Sequence, residues 1–262
     1  MLTIKKNAGV EIINALFRKN KPLALFGAAN FLLLGLLLLF SFIDDRTLLG
    51  INVWIKPMKF SLSIGIFTWT MAWLLDYLPQ KTHVKIIAIS IIVMLGIEQI
   101  IIIGQAAQGK ASHFNISSPF DGMLFSIMGF AIVINTLMVL WTLILFLKIN
   151  GLPKGYLWGI RFGLMIVLFA SFEGFVMIAN GGHTVGAADG EEGVFFLNWA
   201  RRYGDLRVSH FLGLHAIQAL PLFAWFFSRD KVSPVAIFAL IYFLLSVGTL
   251  WQALAGKPLI WY

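Results

Sequence analysis

The chain has 262 residues, of which 59% are hydrophobic and 12% charged, with a mean hydropathy of +0.86. A water-soluble domain carries about 25% charged residues, so this composition excludes one; apolar stretches of about 20 residues between short polar breaks mark a polytopic helical membrane protein. The absence of cysteine excludes thiolate ligands, disulfides, iron–sulfur clusters and thiol catalysis, and the net charge of +8 is placed to suit lipid headgroups, not nucleic acid.

In chain order, residues 1–21 form a basic segment. Val10, Ile13, Leu16 and Phe17 share one helical face beside Lys5, Lys6, Arg18, Lys19 and Lys21. This reads either as an amphipathic helix on an anionic leaflet or as a frayed basic tail. Residues 22–262 read as one membrane domain with spans at 22–43, 57–78, 85–106, 119–147, 156–179, 208–227 and 233–255. The first has no small-residue cleavage site before Asp44 and is expected to be retained. The expected fold is therefore all-α, a seven-transmembrane-helix bundle. A cytoplasmic N-terminus puts 12 of the 20 Lys and Arg on the inner side, which obeys the positive-inside rule. N-terminus in and C-terminus out, in a bacterial inner membrane, is the expected topology.

The second span opens with "NVWIKPMKFS", and Lys59 begins inside the hydrophobic zone. Lys56 and Lys59, with Arg207 further on, either anchor headgroups beside Trp54 and Trp199 or draw in an anionic or lipid-like substrate. Glu98 in the third span, Glu173 in the fifth and His215 in the sixth each lie about seven residues from the outer end of their span. At 1.5 Å per residue all three share a depth of roughly 10 Å. Ionisable groups in hydrocarbon face a bundle interior or a wet cavity, so the three are expected to meet in a polar funnel between spans 3, 5 and 6. Gln105 and Asn180 continue the stripes of Glu98 and Glu173 outward, Gln218 shares the His215 face, and Pro221 frees the Ile217 carbonyl. Glu98, Glu173 and Gln105 are thus candidate catalytic residues, against the alternative that each is an interhelical tie.

Four of the five histidines fall near the outer side: His113 in "GKASHFNIS", His183 in the glycine-rich "NGGHTVGAADGEEG", and His210 and His215 in "SHFLGLHAIQ". A spacing of five separates the last two by about 140° around a helix, so they cannot clasp one ion as an i, i+4 pair does. All four are candidate ligands for a transition metal (Zn, Fe, Mn or Cu) or for haem, in partnership with other segments. Asp121, after Ser118-Pro119, reads as part of a helix cap.

The segments "KPMKFSLS", "GQAAQGKASHFN", "GGHTVGAADG" and "GDLRVSHFLGLHAIQALPL", within about residues 50–225, resemble a group of bacterial multi-pass membrane proteins without an assigned activity. The resemblance implies a bacterial origin and carries over no catalytic roles. The rhodopsin pattern is not met, because the seventh span lacks a buried Schiff-base lysine, nor is the HxxxH pair of zinc-dependent seven-span hydrolases. Three functions follow from the residues: a metal- or haem-dependent membrane enzyme, a hydrolase or oxidoreductase acting on a lipid-like, quinone-like or anionic substrate; a proton-coupled transporter using Glu98 and Glu173; or an assembly or receptor subunit. A homo-oligomer is compatible with each.

Overall fold

The computed structural model describes residues 8–190 and 193–259. Helix α1 (Ala8–Lys19) leads into α2 (Lys21–Ile43), followed by α3 (Ile55–Leu75), α4 (Lys81–Ala107), α5 (Pro119–Lys148), α6 (Lys154–Asn180), α7 (Leu206–Phe227) and α8 (Val232–Leu254). Helices α2 to α8 are long and apolar enough to cross a membrane. The chain is a membrane-spanning all-α bundle. The expected spans agree with these helices to within a few residues at each end. Lys5 and Lys6 of the basic segment lie outside the described residues.

Sequence chemistry sets the helix ends. Asn20 accepts from the Leu23 amide ahead of α2, and Ser118 accepts from the Asp121 amide at 3.1 Å with Pro119 in the first turn of α5. Helix α6 stops at Gly181, whose φ of +72° lets the next amides bond back to Ile178 and Met177. Helix α1 is held by Leu16, which is buried in the main core, and by Lys19. The Lys19 ammonium pairs with Asp76 at 2.7 Å and sits over the rings of Trp73 and Tyr77.

The most extensive helix contact is between α6 and α7. Gly155, Gly159 and Gly163 recur every four residues along α6 and meet the backbone of α7 and its exit. A Cβ at Gly155 would lie 2.1 Å from the Ser228 carbonyl, one at Gly159 2.9 Å from that of Leu220, and one at Gly163 2.9 Å from that of Ala216. Small residues at i, i+4 spacing let two membrane helices approach backbone to backbone. On the other helix Gly213 completes the seam, since a Cβ there would meet Ala170 at 2.5 Å.

The α1 side of the bundle is here the proximal face and the opposite side the distal face. The main apolar core fills the proximal half, with Leu23, Met71, Ile87, Phe146, Ile160 and Ile217 at its centre. The distal half is different. Its apolar clusters are small, and its connections carry two short antiparallel ladders that patterning did not reveal. The first pairs β1 (Thr47–Leu48) with β2 (Ile51–Asn52); the second pairs β3 (Thr184–Val185) with β4 (Gly204–Asp205).

Candidate functional site

The distal connections are knit into a cap. Asp44 accepts from Arg46 through its amide and the Nε and Nη2 of its guanidinium, and from the Trp54 indole at 2.9 Å. The Arg46 guanidinium beside it holds the Asp44 carboxyl well below the usual carboxylate range. Arg46 also donates to the Ala107 carbonyl at the end of α4, and Gly50 of this loop approaches the backbone of Gly190 in the long α6–α7 connection. Four non-glycine residues, Leu49, Phe114, Phe196 and Asn198, hold a positive φ, and all are in these distal connections. Such backbone is costly outside glycine and persists where surrounding contacts determine the loop.

Within the cap, His183 and Asp189 form a dyad. The carboxylate of Asp189 lies 2.6 Å from His183 Nδ1 and also accepts the backbone amides of His183 and Thr184 at 2.9–3.1 Å. Facing a carboxylate, Nδ1 carries the proton and Nε2 is left with a lone pair. Burial pushes the Asp189 carboxyl up, but the His183 imidazole and the converging amides outweigh it and hold it well below the usual range. Burial lowers the His183 imidazole, with the Arg207 and Lys56 charges adding to the effect, against the opposing pull of Asp189. His113 is lowered well below the usual histidine value by burial, by Lys56 and by His183. Both rings are therefore neutral at pH 7. Phe114 packs edge-on against His183, and Phe60 and Phe125 flank His113.

The three candidate cations divide. Arg207 is bidentate on Asp205, the N-cap of α7, and also donates to the Asn198 carbonyl. Lys59 donates to the Leu197 carbonyl at 3.1 Å. Lys59 thus ties the α6–α7 connection to the start of α3, and Arg207 ties it to the start of α7. Lys56 is not tied in this way. It is half-buried, feels the charges of Lys59, Arg207, Glu98 and Asp189, and makes no hydrogen bond to a described residue.

The expected meeting of Glu98, Glu173 and His215 does not occur. Glu98 on α4 belongs to the α3 side: its neighbour Gln99 donates to Ser61 at 2.7 Å and to the Pro57 carbonyl at 3.4 Å, and Lys56 is its charged companion. Glu173 lies where α6, α7 and α8 meet. It is 2% exposed, lies 2.5 Å from the Ser209 hydroxyl, and Ser209 in turn reaches the Ser246 carbonyl at 2.8 Å. Its histidine is His210, with Nδ1 4.0 Å from Glu173 Oε2 and 2.8 Å from the Ala170 carbonyl that it donates to. His215 turns Nδ1 back to Phe211 of its own helix and stacks on that ring. The cause is azimuth: Gly213 faces α6, and a residue two positions on is turned by roughly 200°.

Nor is any of the candidate ligands His113, His183, His210 and His215 part of a metal-holding group among the described residues. His183 has His113 and His210 within electrostatic reach, but no three His, Asp or Glu side chains among the described residues are grouped to hold a metal ion. Gln105 donates to Asp121 at 2.9 Å and ties the end of α4 to the start of α5, and Asp121 joins the Ser118 cap as expected. Gln218 reaches Thr70 across the interior at 3.0 Å, and Asn180 closes the end of α6 through the carbonyls of Gly182 and Thr184. Asp189, Ser209 and Ser246 were not singled out in the sequence. For Asp189 a signal existed, an acid six residues after a histidine in a glycine-rich loop. No protein-family profile, curated protein or solved structure matches the chain.

Proposed function

We propose that the protein is a membrane-embedded enzyme that works from its distal face on an anionic, lipid-like substrate, with His183 as proton acceptor. The observation that carries the reading is the 2.6 Å contact between His183 Nδ1 and the Asp189 carboxylate. A neutral imidazole oriented by a carboxylate, with Nε2 open, is the arrangement of a general base. Such a base acts on water or a substrate hydroxyl, which makes hydrolysis or group transfer the reaction class. Lys56 supplies an uncommitted positive charge within reach of that base. The excess of Lys and Arg at the proximal face favours the distal face as the outer one, in a bacterial inner membrane. Metal or haem chemistry is not part of the reading, because the imidazoles and carboxylates of the described residues do not converge as a donor set. The apolar proximal half favours a site open to one face over a path through the bundle.

The test is reconstitution into vesicles of phosphatidylglycerol and phosphatidylethanolamine, followed by mass spectrometry of the lipids. The wild type is expected to convert the anionic lipid, and His183→Gln to slow it by about 10²-fold or more at an equal amount of folded protein. No conversion by the wild type, or equal rates for the variant, refutes the proposal.

A further inference from the structure

Lys56, whose charge the proposed function draws on, has a companion in Glu98 that the dyad does not use. Their helices are locked at this level by the bonds from Gln99 to Ser61 and Pro57, residues that adjoin or nearly adjoin the pair. Lys56 and Glu98 feel each other's charge, yet they form no ion pair, and neither has a hydrogen-bond partner among the described residues. Glu98 is 6% exposed, and its oxygens touch accessible surface, unlike the sealed Oε2 of Glu173. An ionisable pair in a helical bundle that is neither bonded together nor bonded elsewhere is expensive to maintain. His113 adds a neutral ring beside Lys56, with Phe60 against it.

We infer that Lys56 and Glu98 form a two-ended subsite for an anion that also carries a hydroxyl group. The argument is one of complementary donors. Lys56 has only donors and attracts an anionic oxygen; an ionised Glu98 has only acceptors and repels one. A fully deprotonated oxyanion such as sulfate, which has no hydroxyl of its own, satisfies the first and is opposed by the second. A phosphate with a neighbouring hydroxyl satisfies both, because the hydroxyl donates to Glu98 while a phosphate oxygen accepts from Lys56. This rests on the anionic-substrate reading above and narrows it to a hydroxylated headgroup such as that of a glycerol phosphate.

The experiment measures binding without turnover, on the full chain in nanodiscs of neutral lipid, by titration calorimetry with glycerol 3-phosphate and with sulfate. The wild type is expected to prefer glycerol 3-phosphate by about 10-fold, the worth of one hydrogen bond to a charged group. Glu98→Met is expected to bring the ratio close to one, and Lys56→Met to weaken both ligands. Glu98→Gln, which keeps an acceptor oxygen, retains part of the preference and controls for folding. Nanodiscs of phosphatidylglycerol compared with phosphatidic acid separate the sources: competition by the former alone identifies a lipid headgroup, and by neither a soluble anion. A wild-type ratio near one, a preference that survives Glu98→Met, or no binding of either probe overturns the inference. Conversion of lipid that depends on His183 would then still stand, so the two readings fail separately.

Discussion

Replacing Asp189 by Asn tests the dyad without knowledge of a substrate. The carboxylate receives His183 Nδ1–H at 2.6 Å and the amides of His183 and Thr184 at 2.9–3.1 Å. An asparagine carbonyl can keep the backbone amides, but its NH₂ then faces Nδ1–H, donor against donor. The conflict is relieved when the imidazole changes tautomer, so that Nδ1 accepts and Nε2 carries the proton. A charge-assisted bond worth about 1.5–3 kcal/mol is exchanged for a neutral one of about 0.5–1.5, a net loss of about 1–2 kcal/mol. With the Asp189 side chain 21% exposed, the lower end is expected, and the thermal midpoint falls by a few degrees. On the proposed function, catalysis is expected to suffer more, because Nε2 has lost its lone pair; a tautomer error of this kind costs a histidine–aspartate pair about 10⁴ in kcat. Nitrogen-15 NMR of histidine-labelled protein reads the tautomer directly. If His183 keeps its proton on Nδ1 in Asp189→Asn, the orientation argument is wrong, and the assignment of His183 as base goes with it.

Two further outcomes are expected. Along the α6–α7 seam, Gly155→Ala places a methyl 2.1 Å from a backbone carbonyl and should destabilise by about 2–3 kcal/mol; Gly174→Ala, with nothing within 4 Å, should stabilise by up to about 1 kcal/mol. Thermal unfolding in detergent checks both, and equal midpoints for the two variants would contradict the seam. The second outcome concerns pH. His113 and His183 are lowered, so below about pH 6.5 the unfolded chain binds protons that the folded one refuses, and stability falls as pH drops from there towards the folded values. The contribution of Asp189, whose carboxyl is also lowered, persists down to about pH 4 and is lost below it. His113→Gln should flatten the first step, and a wild-type midpoint unchanged between pH 7.5 and 5 would refute the neutral-ring assignment.

What the sequence made legible was whatever depends on distance along a helix. Seven long apolar runs are enough to place seven spans, and counting residues places Glu98 and Glu173 at buried positions in the distal half. Angle around the helix was not legible from charge. Each residue turns the face by about 100°, so the direction of His215 depends on which side of α7 docks on α6. That choice is made by glycines, Gly159 against Leu220 and Ala224, Gly163 against Ala216 and Gly213 against Ala170, with Gly155 against the Ser228 carbonyl. The seam is written in the sequence as "GYLWGIRFG", a spacing of small residues and not a pattern of charge. Once that seam is set, Ser209 and His210 face Glu173 and His215 does not. The distal ladders escaped for another reason: strands of two residues are too short to carry an alternating pattern.

The seam and the core together bear on what kind of machine this is. In the proximal half every helix from α2 to α8 contributes to one apolar core, and the α6–α7 seam runs through that half with its backbones nearly touching. Alternating access would have to open this half, separating helices whose contact depends on the absence of side chains and hydrating Met71, Ile87, Phe146 and Ile160, all 0% exposed. The distal half needs no such opening. Its walls are loops tied by Asp44, Arg46, Lys59, Asp205 and Arg207, and its ionisable groups already touch one another's fields. A bundle sealed on one side and polar on the other suits chemistry at one surface. Of the three candidate cations, Lys56 is the one without the hydrogen bonds to described residues that hold Lys59 and Arg207, which supports its proposed role in meeting an anion.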